Sequence, residues 1–358
     1  MIGSVKLHKY NTPVLAVAGN SGSGKTTLIE KVLPELIAKG LRVAVIKHDV
    51  HGLNVDHPGK DSARLFEAGA DIFLQGPDEC LLRSHDCQSA ALATAILRVS
   101  PMHDLVIVEG FKQSPLQKVW LLAEGQGPPV ERQNIVGVLD RNIDRAGWLL
   151  DYIDEWLPTQ WMQPKVFGAI LIGGKSTRMG QPKHLIEVNG EAWLEYTIEQ
   201  LKSVVDEVVI VGTGDIPAHI SAVRLPDVQD LSGPLSGILA AMRWAPNAGW
   251  LVCACDLPQV SSDALRWLLN NRGPGVWGVV PRFVSESVEP LLAYYDWRAG
   301  RLFESIAAEG GHAPHLISRH SSVVTPRPPA DLASAWTNVN SPDEMSSLIR
   351  NTPALEVS

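Results

Sequence analysis

The segment Gly19-Asn-Ser-Gly-Ser-Gly-Lys25-Thr26 constrains this chain more than any other. It fits G-x-x-x-x-G-K-[ST] directly after an apolar run and directly before a helical repeat, which is the setting a P-loop requires. Gly19, Gly22 and Gly24, with Ser21 and Ser23 between them, let backbone N–H groups wrap a phosphate chain. Lys25 supplies a point charge to the β and γ oxygens, and the Thr26 hydroxyl, followed by Thr27, is placed to ligate Mg²⁺. A loop of this kind sits between a parallel strand and the N-terminus of a helix, so the fold is α/β.

The flanking pattern agrees. Val14 to Ala18, Arg42 to Ile46, Leu105 to Val108, Val119 to Leu122 and Ile135 to Leu139 read as strands, and Thr26 to Lys39 carries apolar residues at helical spacing. A helix follows from about Arg145 to Leu157, and Pro158 to Pro164 reads as a linker. At 358 residues the chain is long enough for two domains, expected at 1–157 and 165–358 around a linker at 158–164. The second half is again α/β. It has strands at Val166 to Ile172, Glu207 to Val211, Trp250 to Ala254 and Val276 to Val280, with helices near 192–203, 235–243 and 262–271. Parallel sheets are expected in both halves.

A formal net charge of −8 offers no general positive field for a nucleic-acid backbone or an anionic membrane. No apolar run approaches a membrane span, and four cysteines without a Cys-x-x-Cys pair suit a reducing compartment. A cytoplasmic location is the expectation.

A P-loop specifies phosphates but neither base nor outcome. Asp104 to Gly110 reads as an apolar strand ending in Glu109, where P-loop folds place the acid that orients Mg²⁺ or water. The loop containing His48, Asp49, His51, Asp56, His57 and Asp61 follows the second strand. The three histidines lack any standard zinc spacing, so a loop approaching the triphosphate is the better reading, with Asp49, Asp56 and Asp61 as candidates toward Mg²⁺.

The stretches SGSGKTTL, VIKHDVHGLNVDHPGKDSARLFEAGA and DLVIVEGFK resemble the GTP-binding adapter proteins of molybdopterin guanine dinucleotide synthesis, the MobB family, over most of residues 13–140. The resemblance implies GTP rather than ATP, slow hydrolysis at most, and a homodimeric adapter. It places Asp140 toward the base, although the family usually has small residues before that aspartate.

The second half opens in a parallel way, with Leu171-Ile-Gly173-Gly174 followed by Arg178, Gly180 and Lys183. This glycine-rich turn carries cations but lacks the P-loop ending. Arg178 and Lys183 are suited to neutralising a departing pyrophosphate. The apolar run from Trp250 ends in Asp256 and Pro258, which sets a carboxylate at a strand's C-terminal edge as a candidate Mg²⁺ ligand.

These segments, with LPDVQDLSGPLSG, EGGH and NVNSPDE, resemble the molybdenum cofactor guanylyltransferases, the MobA family, over nearly all of 166–345. The fold is the Rossmann-like nucleotidyltransferase domain. The resemblance implies transfer of GMP from GTP to molybdopterin with Mg²⁺. Leu171, Gly173, Gly174 and Lys183 would lie at the nucleotide, and Asp227 with Gly233, Pro234, Leu235 and Gly237 at guanine. Lys183, Asp256 and Arg178 would carry the chemistry, with Asn338 and Asn340 on the pterin side. It also implies contacts with molybdenum-insertion proteins and with recipient molybdoenzymes or their chaperones.

Pro182-Lys183-His184 and Glu289-Pro290 depart from the family pattern, and the first is closer to cytidylyltransferase relatives. A cytidylyltransferase and a GTP-switched carrier without transferase activity are the rival readings. Cys253 and Cys255 share a strand face and read as buried thiols, with a soft-metal or molybdopterin contact left open. His85 and Cys87 read as a polar loop. Trp148, Trp156, Trp244, Trp250 and Trp267 read as core or interface, and Trp156 and Trp161 sit near the linker.

Overall fold

The computed structural model describes residues 11–47, 57, 59–85, 92–130, 133–173, 182–188, 190–341 and 343–344. Contacts divide the chain into two compact units, Met1–Leu157 and Pro158–Ser358. His48, Asp49, His51, Asp56, Cys87, Gly174, Arg178 and Gly180, named above as candidates, lie outside the described residues.

The first unit runs β1 (Val14–Gly19), α1 (Lys25–Ala38), β2 (Val43–Lys47), α2 (Asp61–Glu67), β3 (Ile72–Gln75), β4 (Cys80–Arg83), α3 (Leu92–Val99), β5 (Leu105–Glu109), β6 (Lys118–Leu121), β7 (Ile135–Leu139) and α4 (Arg145–Trp161). Its main sheet has the order β2-β5-β1-β6-β7, and every pairing is parallel. Leu15, Ala16, Val17 and Ala18 on the central strand are fully buried, as a strand covered on both faces must be. Helix α1 buries Leu28, Ile29, Val32 and Leu36. The antiparallel ribbon β3–β4 sets Phe73 opposite Leu82, and both side chains are exposed.

Helix α4 differs from expectation. It continues through Pro158 to Trp161, so the segment read as a linker is helical over its first part. The aromatic side chains explain where its turns are held: Trp156 Nε1 donates to Gln117 Oε1 at 2.8 Å in the first unit, whereas Trp161 stacks on Trp297 at 4.9 Å in the second. This packing offsets the hydrogen bond that Pro158 cannot donate.

The second unit runs β8 (Val166–Leu171), β9 (Glu187–Val188), β10 (Glu191–Ala192), α5 (Trp193–Lys202), β11 (Glu207–Val211), β12 (Val223–Leu225), α6 (Pro234–Trp244), β13 (Gly249–Ala254), α7 (Ser262–Asn270), β14 (Gly278–Val279), β15 (Leu292–Tyr295), α8 (Ala299–Ala308) and β16 (Val323–Val324). Its sheet has the order β12-β11-β8-β13-β15-β14-β16. The expectation of a parallel sheet holds for β12, β11, β8 and β13, but β15 runs antiparallel to both β13 and β14. The strand expected at Val276 to Val280 shortens to Gly278–Val279.

Helices α5 and α7 cover one face, burying Leu194, Ile198, Leu201, Leu265 and Leu268 together with Cys253 and Cys255. Helices α6 and α8 cover the other through Leu235, Ile238, Leu239, Met242 and Phe303. Each unit is therefore a layered α/β sheet whose parallel strands end at one edge, and in such sheets ligands bind beyond the strands' C-terminal ends.

Candidate functional site

In the first unit, β1 ends at Gly19 and α1 begins at Lys25, so the P-loop spans the gap between a buried strand and a helix N-terminus. Gly19 has φ +147°, and a Cβ there would meet the Leu121 carbonyl oxygen and Ser23 Oγ, each at 2.6 Å. Only glycine fits that close approach. Ser23 is buried, and Ser21, Gly22, Gly24, Thr26 and Thr27 are exposed along the loop and first turn.

The Lys25 ammonium lies over the loop, 2.9 Å from the Asn20 carbonyl and 3.3 Å from that of Gly19. Burial lowers its pKa below the ordinary lysine value, against the pull of Glu109, and Lys112 and Lys47 lower it further. The Thr26 hydroxyl donates to Glu109 Oε1 at 2.8 Å, which joins the P-loop to the acid at the end of β5. Lys47 stands opposite Glu109 in the β2–β5 register.

Two arginines that the sequence reading did not select brace this loop from the β7–α4 turn. Arg145 donates to the carbonyls of Ser23 at 2.8 Å, Leu122 at 2.7 Å, Leu139 at 3.0 Å and Asp140 at 2.8 Å. Arg141 donates to the Gly22 carbonyl at 2.8 Å. In a trans peptide the N–H points opposite its C=O, so holding these carbonyls outward turns the following N–H groups toward the loop interior. Asp140 itself is exposed at the end of β7 and accepts from the Asn142 N–H at 3.1 Å. Asp61, the other acid proposed near the triphosphate, begins α2 and pairs with Arg64 at 3.7 Å, while His57 is exposed.

The second unit holds a cleft of about 560 Å³ lined by Leu171, Gly173, Lys183, Asp227, Gly233, Pro234, Gly237 and Asp256, all of which the sequence reading had selected. Leu235 was selected with them, but it does not line the cleft. It is fully buried among the residues of α6 and β13, because the second turn position of this helix faces the sheet. Thr213, Ser232, Ser236 and Leu291 line the cleft and were missed.

Lys183 Nζ donates to Asp256 Oδ2 at 3.1 Å and to Asn340 Oδ1 at 2.7 Å. The Val339 N–H donates to the Asp256 carbonyl at 3.0 Å, and the Asn340 N–H to Glu344 Oε2 at 2.6 Å. The turn at Lys183, the acid-ended strand and the asparagine segment around Asn340 therefore meet at one cluster. Asn338 is exposed beside it. His184, next to Lys183, is buried, with Nε2 2.8 Å from the Asp215 carbonyl.

Asp227 follows β12, and the Ser236 hydroxyl in the first turn of α6 lies 3.1 Å from its Oδ1. Cys255 lines the cleft, but burial raises its thiol to about 12, with Asp256 adding to the rise, so it stays an uncharged thiol at neutral pH. Glu289 accepts from the Leu291 N–H at 3.0 Å. Burial raises its carboxyl above the ordinary range despite that bond, and Asp256 raises it further.

The chemistry of the donors fits Mg²⁺. Asp256 presents a hard carboxylate to the cleft, and Thr26 with Glu109 presents hydroxyl and carboxylate beside the P-loop. Mg²⁺ is commonly held by one or two such groups together with phosphate oxygens.

Among the described residues, no helix is long and apolar enough to cross a membrane. Family models match both units: molybdopterin guanine dinucleotide synthesis protein B over residues 14–140 and the MobA-like NTP transferase domain over residues 168–323. The chain is 36% identical to the molybdopterin-guanine dinucleotide biosynthesis adapter protein of Haemophilus influenzae, aligned over 44% of this chain and 96% of that protein. It is 35% identical to the probable molybdenum cofactor guanylyltransferase of Pelotomaculum thermopropionicum, over 50% of this chain and 89% of that protein. Among solved structures, molybdopterin-guanine dinucleotide biosynthesis protein A from Archaeoglobus fulgidus is 23% identical over 52% of this chain and 98% of its own, with a TM-score of 0.45. The chain belongs to the molybdopterin-guanine dinucleotide biosynthesis adapter family in its first unit and to the molybdenum cofactor guanylyltransferases in its second, and it is a nucleotidyltransferase.

Proposed function

We propose that the second unit transfers GMP from GTP to the terminal phosphate of molybdopterin, releasing pyrophosphate and forming the guanine dinucleotide cofactor. The observation that carries this reading is the meeting of Lys183, Asp256 and Asn340 at a cleft that Lys183, Asp256, Asp227 and Gly237 line together. A phosphate oxygen attacks the α-phosphorus of GTP in line, the bond to the β-phosphate oxygen breaks, and pyrophosphate departs. The attacking group is already an anion, so positioning and charge neutralisation do most of the work.

Lys183, with Arg178 from the glycine loop, neutralises the phosphates. Asp227 and the Gly233 to Gly237 turn receive guanine, Gly173 and Gly174 lie against the nucleotide, and Asn338 and Asn340 receive the pterin substrate. Asp256 would hold Mg²⁺, whose charge would offset the repulsion between two anionic substrates.

The first unit binds GTP at the P-loop, with Lys25 on the phosphates and Thr26 and Glu109 toward a second Mg²⁺, and hydrolyses it slowly at most. It acts as the adapter, a homodimer in contact with molybdenum-insertion proteins and recipient molybdoenzymes or their chaperones. The exposed pair Phe73 and Leu82 on the β3–β4 ribbon supports an interaction surface there. The chain works in the cytoplasm.

The test is direct detection of product. Incubation of the full chain with Mg²⁺, molybdate-loaded molybdopterin and GTP is expected to yield the guanine dinucleotide by chromatography and mass measurement. A cytosine dinucleotide formed in preference from mixed GTP and CTP would make the chain a cytidylyltransferase. Nucleotide binding without any dinucleotide would make it a carrier.

A further inference from the structure

We infer that Ser236 is a positioning residue that sets the chain's preference for guanine by fixing the carboxylate of Asp227. This inference rests on the guanylyltransferase reading and names a determinant of its base selection. Ser236 is buried at the third position of α6, and its hydroxyl reaches into the cleft wall. Two acceptors face that hydroxyl: the Gly233 carbonyl oxygen at 2.6 Å and Asp227 Oδ1 at 3.1 Å. Both are acceptors, so the serine's single hydroxyl hydrogen is shared between them, the shorter contact being to the Gly233 carbonyl and the longer to the Asp227 carboxylate.

Other features of the same corner hold Asp227 against the helix. The Val228 N–H points at the Ser236 carbonyl oxygen at 3.5 Å, tying the residue after Asp227 to the same turn. Gly237 carries no side chain, and a Cβ there would come within 3.4 Å of Asp227 Oδ1 and 3.0 Å of Leu171 Cδ2. The positive end of the α6 dipole favours the carboxylate's charge in this place. Asp227 is exposed on its other side. An exposed aspartate samples several rotamers unless something fixes it, and Ser236 is the side chain that anchors one of its oxygens.

Fixing matters because of what the base presents. Guanine offers two adjacent donors, N1–H and the 2-amino group, to a pair of coplanar acceptor oxygens. Hypoxanthine offers only the first, and cytosine sets its amino donor beside an acceptor nitrogen. A carboxylate held in one plane rewards the second donor, and one free to rotate rewards it less. Ser236 thus acts through Asp227, without touching the reacting phosphorus.

The experiment measures kcat and KM for pyrophosphate release with GTP, ITP and CTP in the full chain. It compares the parent, Ser236→Ala, Asp227→Ala and the double variant. Ser236→Ala is expected to raise KM for GTP on the order of tenfold, the scale of a hydrogen bond to a charged group, with kcat within about twofold. It is expected to shrink the GTP-over-ITP preference. In the Asp227→Ala background the same change is expected to do nothing further. An unchanged GTP-over-ITP preference in Ser236→Ala overturns the inference, and so does an effect that persists undiminished without Asp227, which would mark a packing role. Absence of pyrophosphate release by the parent with all three nucleotides overturns the transferase reading, and this inference with it.

Discussion

Lys183 and Asp256 form an ion pair at 3.1 Å across the second unit's cleft, one from the turn after the glycine loop and one from the end of β13. Both side chains are largely covered, and Asn340 completes the cluster from the C-terminal segment. The pair brings together the cation proposed to neutralise phosphate and the carboxylate proposed to hold Mg²⁺. Asp256→Ala and Lys183→Ala are each expected to reduce pyrophosphate release by roughly 10² or more, the scale of removing one preorganised charge from a transfer site. Steady-state kinetics check this, with circular dichroism to establish that the variants fold.

The P-loop and the cleft are separate sites, so two GTP molecules are expected per chain. Lys25→Ala is expected to reduce the stoichiometry to one, because the ammonium proposed to neutralise the phosphates at the P-loop is gone. Equilibrium dialysis with labelled GTP measures it. An unchanged stoichiometry would mean that Lys25 does not hold nucleotide.

Burial also lowers the pKa of Lys118, whose ammonium donates to the carbonyls of Lys112 at 2.8 Å and Ser114 at 2.5 Å. The unfolded chain then binds more protons than the native one between the lowered value and the ordinary 10.5. Stability contributed by this group therefore rises with pH through that window, and the penalty is fully present below it. Urea midpoints of the first unit at neutral pH and near pH 10 are expected to show this rise as a smaller slope in Lys118→Met than in the parent. Equal slopes would contradict it.

Arg298 and Asp296 make a fully buried ion pair in the second unit, with Arg298 Nε donating to Asp296 Oδ2 at 2.9 Å. The guanidinium lies 4.1 Å from the Trp161 ring and 4.9 Å from that of Trp277. Arg298→Met removes the guanidinium from a buried carboxylate, which is expected to destabilise the unit by about 3–5 kcal/mol. Denaturant unfolding followed by tryptophan fluorescence measures it, and pairing the change with Asp296→Asn is expected to recover part of the loss.

Local patterns made most of the parallel scaffold legible. Ile135–Leu139 and Glu207–Val211 are strands at the residues expected, because continuous apolar runs with β-branched residues have few other uses in an α/β chain. The strand Leu292–Tyr295 was missed. It is short, runs against β13, and is joined to β14 without an intervening helix, so the β-α-β rhythm gave no sign of it. The P-loop, Glu109, Lys183 and Asp256 stand out in the sequence at a strand end or turn, whereas Asp227 was selected only through the family resemblance. Ser236, Thr213, Leu291, Arg141 and Arg145 were not. Their roles arise from side chains of separate elements meeting in space, and Ser236 was hidden inside a turn read for its glycines. Leu235 was over-read for the same reason, since motif membership does not say which way a helical residue faces.

The most direct test is pyrophosphate release by the purified full chain with Mg²⁺ and molybdate-loaded molybdopterin, given GTP or CTP. Release is expected with GTP, little with CTP, and loss of both in Asp256→Ala. Release that survives in Asp256→Ala, or that requires CTP, would contradict the proposed function.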